Sequence, residues 1–505
     1  MKSSLTVRAA SAAAAVALLS AGCSTTSTSS RSATDQTLNL AMGASPTSFQ
    51  IGDWSGGDST LFTSVYDSVL KMNVKGEVVP GIAKSWTYSS DRLKLTLAIR
   101  TGQKFSDGET LDAAAVVASL KRSMKEPSYS AQLSSISEVS APDAATVVIT
   151  LKTPDASLLS KLGGVAGGVG APNALTAKSS TLEPVGSGPY TLDKSTTTTG
   201  SVYTLKKNTG NWDSASYPFA TVRIRVIQDS TASQNALKSG QVDFGITSAG
   251  QLSQFPKSQF TTGGSWPQAV GAIWIADRDG KIVPALKDVR VRQAINMAID
   301  RDSIATKLVA GAHATEQLVS PVGDAYSKAL DTKYPFDVTG AKKLMAEAGY
   351  ANGFSVRMPS TVVSQAYDAT IAQELGDIGI KVSYDTVPFQ DFYSKVYSRT
   401  YGLYFMYNGF TGSDVSDINA AISGAFNPYG TTTPQLTALL ATANAASDDK
   451  QGVAFAAVNN YLVDQAWTAP MLYSTSPWVA TNRISYTPPV NPSLNLLPFG
   501  LAASK

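Results

Sequence analysis

The residue types that carry most enzyme chemistry are scarce in this chain. Among 505 residues there is one histidine, His313, and one cysteine, Cys23. A zinc or nickel site built from several imidazoles is therefore impossible, and a thiol nucleophile is lost if Cys23 is acylated. His313 stands in Gly311-Ala312-His313-Ala314, just past the end of a predicted helix, where a surface or supporting role outweighs that of a general base. Gly186-Ser187-Gly188-Pro189 lacks the Gly-x-Ser-x-Gly spacing that exposes a serine on a strand-to-helix elbow, and Pro189 would hinder the helix that such an elbow needs. The glycines from Gly163 to Gly170 have no Lys-Ser or Lys-Thr after them, so they do not form a phosphate loop. Both stretches read as turns and close-packed backbone. What remains is recognition: no catalytic residue, no metal and no cofactor are expected.

Cys23 needs its own explanation, because a lone cysteine in an exported chain has no internal disulfide partner. Export is indicated by Lys2 and Arg8 ahead of the apolar run Ala9 to Leu19, which ends in Ser20, Ala21 and Gly22. The run falls short of the roughly 20 residues of a permanent span. Leu19-Ser20-Ala21-Gly22-Cys23 resembles a bacterial lipobox, with the bulky leucine four residues before the cysteine. That resemblance implies a signal peptide over 1–22, a diacylated thiol on Cys23, and retention on the outer face of the cytoplasmic membrane. The alternative is an ordinary cleaved signal that leaves a free thiol. Residues 23–37 are rich in Ser and Thr with no apolar cluster, and read as a lipid-anchored flexible tether.

Charge excludes another class of function. Lys and Arg number 41, Asp and Glu 38; the net charge of +3 falls to +1 when two cations, Lys2 and Arg8, leave with the signal. The cations are scattered among acids along the whole chain, whereas binding nucleic acid demands a concentrated basic face. No nucleic acid partner is expected. With 43% hydrophobic residues the chain can bury a large core, and its length suggests more than one domain. No later apolar run approaches membrane-spanning length, which leaves the lipid as the membrane attachment.

Strand and helix patterns are interleaved throughout, which predicts mixed α/β lobes. Leu93, Leu95, Leu97 and Ile99 alternate with polar or small residues, as in a strand with one buried face. Asp112 stands where an N-cap would open a helix carrying Val116, Val117 and Leu120. Asp288 precedes Val291, Ala294, Ile295 and Ala298, an amphipathic stripe, and Asp300 is placed to cap the next helix. A further helix presents Ala341, Leu344, Met345 and Ala348 and stops at Gly349.

Several longer stretches are more specific than any periodicity. Pro80-Gly81-Ile82-Ala83-Lys84-Ser85-Trp86, the strand after it, and Arg100-Thr101-Gly102-Gln103-Lys104-Phe105-Ser106-Asp107-Gly108 make one block. Gly186-Ser187-Gly188-Pro189-Tyr190, Asn211-Trp212, and Val226 to Ala232 running on to Leu237 to Asp243 follow. Then come Asp288 to Arg301, Ala341 to Tyr350, and Ile378-Gly379-Ile380-Lys381-Val382. In this order they resemble the family 5 extracellular solute-binding proteins that serve dipeptide, oligopeptide and nickel ABC importers; Ala115, where that family usually has an acid, departs from the pattern.

The resemblance implies an α/β, two-lobed periplasmic-binding-protein-like clamp of the large peptide-binding type. Its lobe I runs over 38–268, lobe II over 269–475, and 476–505 returns to complete lobe I, with crossovers near Trp266 to Ile275 and Tyr473 to Trp478. It implies a monomer that captures a small-molecule or peptide ligand and hands it to ABC permease subunits. In peptide binders of the family an Asp within a Gly-aromatic-Thr-Gly-Asp stretch takes the ligand's ammonium. Here the stretch reads Gly409-Phe410-Thr411-Gly412-Ser413-Asp414, which leaves either Asp414 or Ser413 at the site. The segment Met358 to Tyr367 lacks the arginine with which dipeptide binders hold the peptide carboxylate. Trp54, Tyr407, Asn408, Phe410 and Tyr473 complete the expected ligand-binding set. An oligopeptide is the first expectation for the ligand, an oligosaccharide the second, and a peptide sensor or holdase the alternative outside transport.

Overall fold

The computed structural model describes residues 36–54, 59–264, 267–489 and 495–502. The signal segment, Cys23 and nearly all of the 23–37 tether lie outside the described residues, as does Trp266.

The alternating run forms the strand Lys94–Ile99, with Leu95, Leu97 and Ile99 fully buried. It lies between Ala83–Tyr88 and Thr146–Leu151 in an antiparallel sheet that Ile136–Asp143 completes. In a second sheet Thr37–Met42 runs parallel to Thr221–Val226, with Val202–Lys207 and Tyr190–Leu192 added antiparallel. Gly186 and Gly188 press on the end of the helix Ser59–Val65: a Cβ would come within 2.1 Å of the Val65 carbonyl oxygen at the first and 2.5 Å of the Val65 carbonyl carbon at the second. Only glycine allows that approach.

The chain then changes halves. Pro267–Ile275 pairs antiparallel with Leu403–Gly409 on one side and Ala469–Thr475 on the other, with His313–Ala314 at the far edge. Immediately afterwards Trp478–Thr481 inserts between Phe244–Ile246 and Phe260–Gly263. Trp478, Ala480, Ile484, Leu496 and Phe499 thereby join the core that Leu38, Leu95, Leu205 and Val222 build in the first half. A separate core around Ile275, Val291, Ile295, Ile371 and Leu403 organises the second. The result is a mixed α/β molecule of two lobes.

The expected caps are present. Asp112 accepts from the Ala115 amide, Asp288 from Arg290 and Asp300 from Ser303, and Asp337, which the pattern does not single out, accepts from Gly340, each closing the exposed amides of a helix start. On the helix Val289–Ala298 all four predicted apolar residues are buried. Val117 and Leu344, assigned to core faces by periodicity, are only partly buried. Gly349 adopts φ +89°, the left-handed conformation that ends the helix Val338–Glu347.

Three buried arginines tie the second half together through backbone carbonyls. Arg278 donates to Trp467 O at 3.2 Å and Asn427 Oδ1 at 2.6 Å, with its guanidinium 4.2 Å from the Trp467 ring centre. Arg292 reaches Leu286 O and Lys287 O at 2.9 Å each and Gln465 O at 3.0 Å. Arg301 donates to Pro470 O (2.8 Å), Asn296 O (2.9 Å), Tyr334 O (3.3 Å) and Asn296 Oδ1 (2.8 Å). The planar fork of donors suits guanidinium to such cages.

Candidate ligand-binding site

Two cavities open where the halves meet. The larger, about 1080 Å³, takes Trp54, Tyr129, Gln132, Ser157, Ser160 and Lys161 from the first half; Thr411, Ser413, Ser416 and Asn419 face them from the second. The smaller, about 560 Å³, shares Met72, Ser160 and Ser413 with it and adds Glu77, Asp324, Asp414 and Asp448. A third hollow of about 1050 Å³ is lined by Lys238, Lys257, Trp478 and Arg483. All of these belong to one side of the molecule, so movement between the halves would not close it.

The first-half wall is set by local chemistry. Trp54 is packed edge-on against Phe49 and Phe62, at 5.4 and 5.2 Å between ring centres, and its carbonyl accepts from the Tyr129 hydroxyl at 3.1 Å. The short helix Leu158–Gly163 carries Ser160 and Lys161 to the wall. Asp155 holds it there, accepting from Ser135 Oγ (2.6 Å), Ser157 N (2.9 Å), Ser157 Oγ (2.6 Å) and Lys161 Nζ (3.0 Å). Burial opposes the charge on Asp155, but Lys161 and the serine hydroxyls outweigh it and hold the carboxyl below its ordinary range.

The second-half wall follows the strand Leu403–Gly409. Gly412 takes φ +79° and turns the chain into the helix Asp414–Ala421, whose N-cap Ser413 accepts from the Ser416 amide at 3.4 Å. Asp417, with no exposed surface, accepts from Thr411 N (2.8 Å) and Thr411 Oγ1 (2.7 Å) and so braces the turn against its own helix. Burial pushes its carboxyl up to about 7, against the pull of the two Thr411 donors. Asp414 accepts from the Ala325 amide at 2.7 Å and packs on Gly323, where a Cβ would meet its Oδ1 at 1.9 Å. Burial raises its carboxyl too, opposed by that amide.

Of the expected ligand-binding residues the structure brings Trp54, Ser413 and Asp414 to the space between the halves. The other four do not line either cavity. Phe410 is buried with Val270, Trp274 and Phe392. Tyr407 joins its hydroxyl to that of Tyr367. Asn408 is buried with Nδ2 unpartnered. Tyr473 stacks on the exposed His313 ring at 5.0 Å. Tyr129, Gln132, Ser160, Lys161 and Asn419 were not anticipated; nothing in their spacing marks a polar residue as facing a cleft rather than solvent.

The halves touch directly. Arg92 Nη2 meets Asp448 Oδ1 at 3.0 Å, Ser160 Oγ lies 3.4 Å from Ser416 Oγ, and the Ala156 amide donates to Asn444 Oδ1 at 3.4 Å. Ala156 also packs in the apolar cluster of Val415 and Phe455. Among the described residues no three His, Cys, Asp or Glu side chains are placed to hold a metal ion, and no helix is long and apolar enough to cross a membrane.

Comparison with known proteins places this geometry in context. Residues 77–429 match the model of the bacterial extracellular solute-binding proteins, family 5 Middle. The chain is 28% identical over 330 residues to the glutathione-binding protein GsiB of Salmonella paratyphi A and, equally, to that of Escherichia coli O157:H7. Each alignment spans 63% of this chain and 63% of the relative's length. Among solved structures, DppA of Helicobacter pylori in complex with the peptide STSA superposes with a TM-score of 0.74 at 22% identity, covering 92% of this chain and 98% of that one. HbpA2 of Haemophilus parasuis gives 0.77 at 20% identity over 92% and 100%.

Proposed function

The chain belongs to the family 5 bacterial extracellular solute-binding proteins, and on that premise we propose that it captures an oligopeptide between its lobes and delivers it to ABC permease subunits without chemical change. The observation that carries this reading is the cavity of about 1080 Å³ with walls from both halves. A ligand there touches both lobes at once, so its binding energy favours their closed arrangement. The hydroxyls and amides of Ser160, Ser416, Gln132 and Asn419 suit a peptide backbone, which alternates donors and acceptors. GsiB, named for glutathione, and DppA, solved with STSA, are consistent with a peptide ligand. The lobes divide at 268/269 and 475/476 in this reading, and a ligand that reaches from the larger cavity past the shared Ser413 into the smaller one places its ammonium at Asp414; for a neutral ligand, Ser413 stands in its place.

An oligosaccharide is the second reading, favoured by the Trp54 ring beside hydroxyl-rich walls. Thermal shift against a panel of peptides, oligosaccharides and metal chelates separates the two. A ligand at 100 times its Kd adds roughly 2.7 kcal/mol of stability, and the expected response is to peptides; a response confined to sugars or chelates overturns the peptide reading.

The same reading holds the protein, as a monomer, on the outer face of the cytoplasmic membrane through lipid on Cys23. Cys23→Ser is expected to move the protein from the membrane fraction into the medium. Retention at the wild-type level would show that the anchor lies elsewhere.

A further inference from the structure

We propose that Lys161 is the anion-holding group of the cleft and that the ligand presents a carboxylate to it, an inference that rests on the cleft being the ligand site. Among the described residues that line the larger cavity, Lys161 is the one side chain charged at neutral pH. The carboxylates at the interface of the lobes, Glu77, Asp324, Asp414 and Asp448, line the other cavity. Among the described residues, a ligand anion in the larger chamber therefore meets a cation on the wall and no lining acid, Asp155 standing behind Lys161 rather than on the wall.

The hydrogen bonding around Lys161 leaves it free to act. Its ammonium carries three donors, and one of them is used, on Asp155 Oδ2 at 3.0 Å. Asp155 does not depend on that bond alone, since Ser135 Oγ and the amide and hydroxyl of Ser157 also donate to it. The carboxylate thus positions Nζ while two N–H groups remain for a ligand. The Lys161 side chain is 24% exposed, so a ligand that expels water from the chamber strips much of what solvates the ammonium. A charge losing its water is strongly biased towards an anionic partner. This also supplies a place for the peptide carboxylate in a chain without arginine between Met358 and Tyr367.

The test uses the full chain and two pools of mixed-sequence tri- to pentapeptides, one of free acids and one of C-terminal amides, with captured peptides read by mass spectrometry. The wild type is expected to retain acids over amides by roughly tenfold to a hundredfold, the worth of a hydrogen bond to a charged group. Lys161→Met should erase that preference while still capturing amides, which also shows that the variant is folded, and Lys161→Arg should restore it. Equal capture of acids and amides by the wild type overturns the inference and leaves peptide binding standing. So does a Lys161→Met variant that keeps the preference or weakens both pools alike. Capture of neither pool removes the peptide reading itself, and the inference with it.

Discussion

Replacing Arg301 by methionine is expected to lower folding stability by about 3–5 kcal/mol, because several buried oxygens lose a charged donor at once, at roughly 1–3 kcal/mol for each one left unsatisfied. The side chain is 7% exposed and stitches three segments together: the helix Val289–Ala298 through Asn296, the loop at Tyr334, and the strand Ala469–Thr475 through Pro470. Methionine fills part of the volume but leaves those carbonyls buried without donors. Arg301→Lys should recover little, because an ammonium lacks the planar fork that reaches acceptors on different sides. Urea denaturation of the two variants against wild type measures the effect. A loss below about 1 kcal/mol, the level of an ordinary substitution, would show that water or a neighbouring group replaces the guanidinium. The consequence for function is indirect: the strand that Arg301 secures is paired with Pro267–Ile275, one of the two connections between halves.

A second large effect is expected in the pH dependence of stability. Burial raises Asp417 from 3.8 to about 7 in the folded protein. The native state therefore holds a proton that the unfolded chain releases near pH 4. The contribution of this group is fully present below that pH, diminishes as pH rises towards about 7, and is then constant. At 1.36 kcal/mol for each pH unit of displacement, the span is up to about 4 kcal/mol. Asp417→Asn cannot titrate, so its stability relative to wild type should climb across the same window and reach its largest advantage near pH 8. Glu374 is also pushed up to about 7, chiefly by burial, but it is common to both proteins and cancels in the difference. Parallel stability curves for wild type and variant would contradict the assignment. Because Asp417 holds Thr411, which lines the larger cavity, ligand affinity measured on the same samples reports whether the brace also shapes the wall.

Much of the architecture was legible without coordinates. Asp288 and the stripe Val291, Ala294, Ile295, Ala298 describe a helix, its start and its buried face, and the structure agrees residue by residue. The same motif contains Arg292 and Arg301, whose burial was not legible: a guanidinium in a helical pattern reads as a solvated face until the carbonyls that cage it are known. Asp414 illustrates a similar boundary. The sequence leaves it or Ser413 at the ligand site, yet its partner in the structure is the amide of Ala325, remote in the chain.

The sequence by itself determined several elements with their caps, the family and the scarcity of catalytic side chains. Those depend on interactions within a few residues, such as Asp112 to Ala115, or on motifs read directly, and they survive without any knowledge of packing. Tertiary structure alone decided which polar residues face the cleft. Lys161, Gln132 and Asn419 carry no periodic signal, and they become walls of one cavity only because two lobes with separate cores bring the helix Leu158–Gly163 opposite the helix Asp414–Ala421. The physical reason is that a cleft is bounded by contacts between segments hundreds of residues apart, whose geometry is set by how the cores pack and not by the residues that end up lining it.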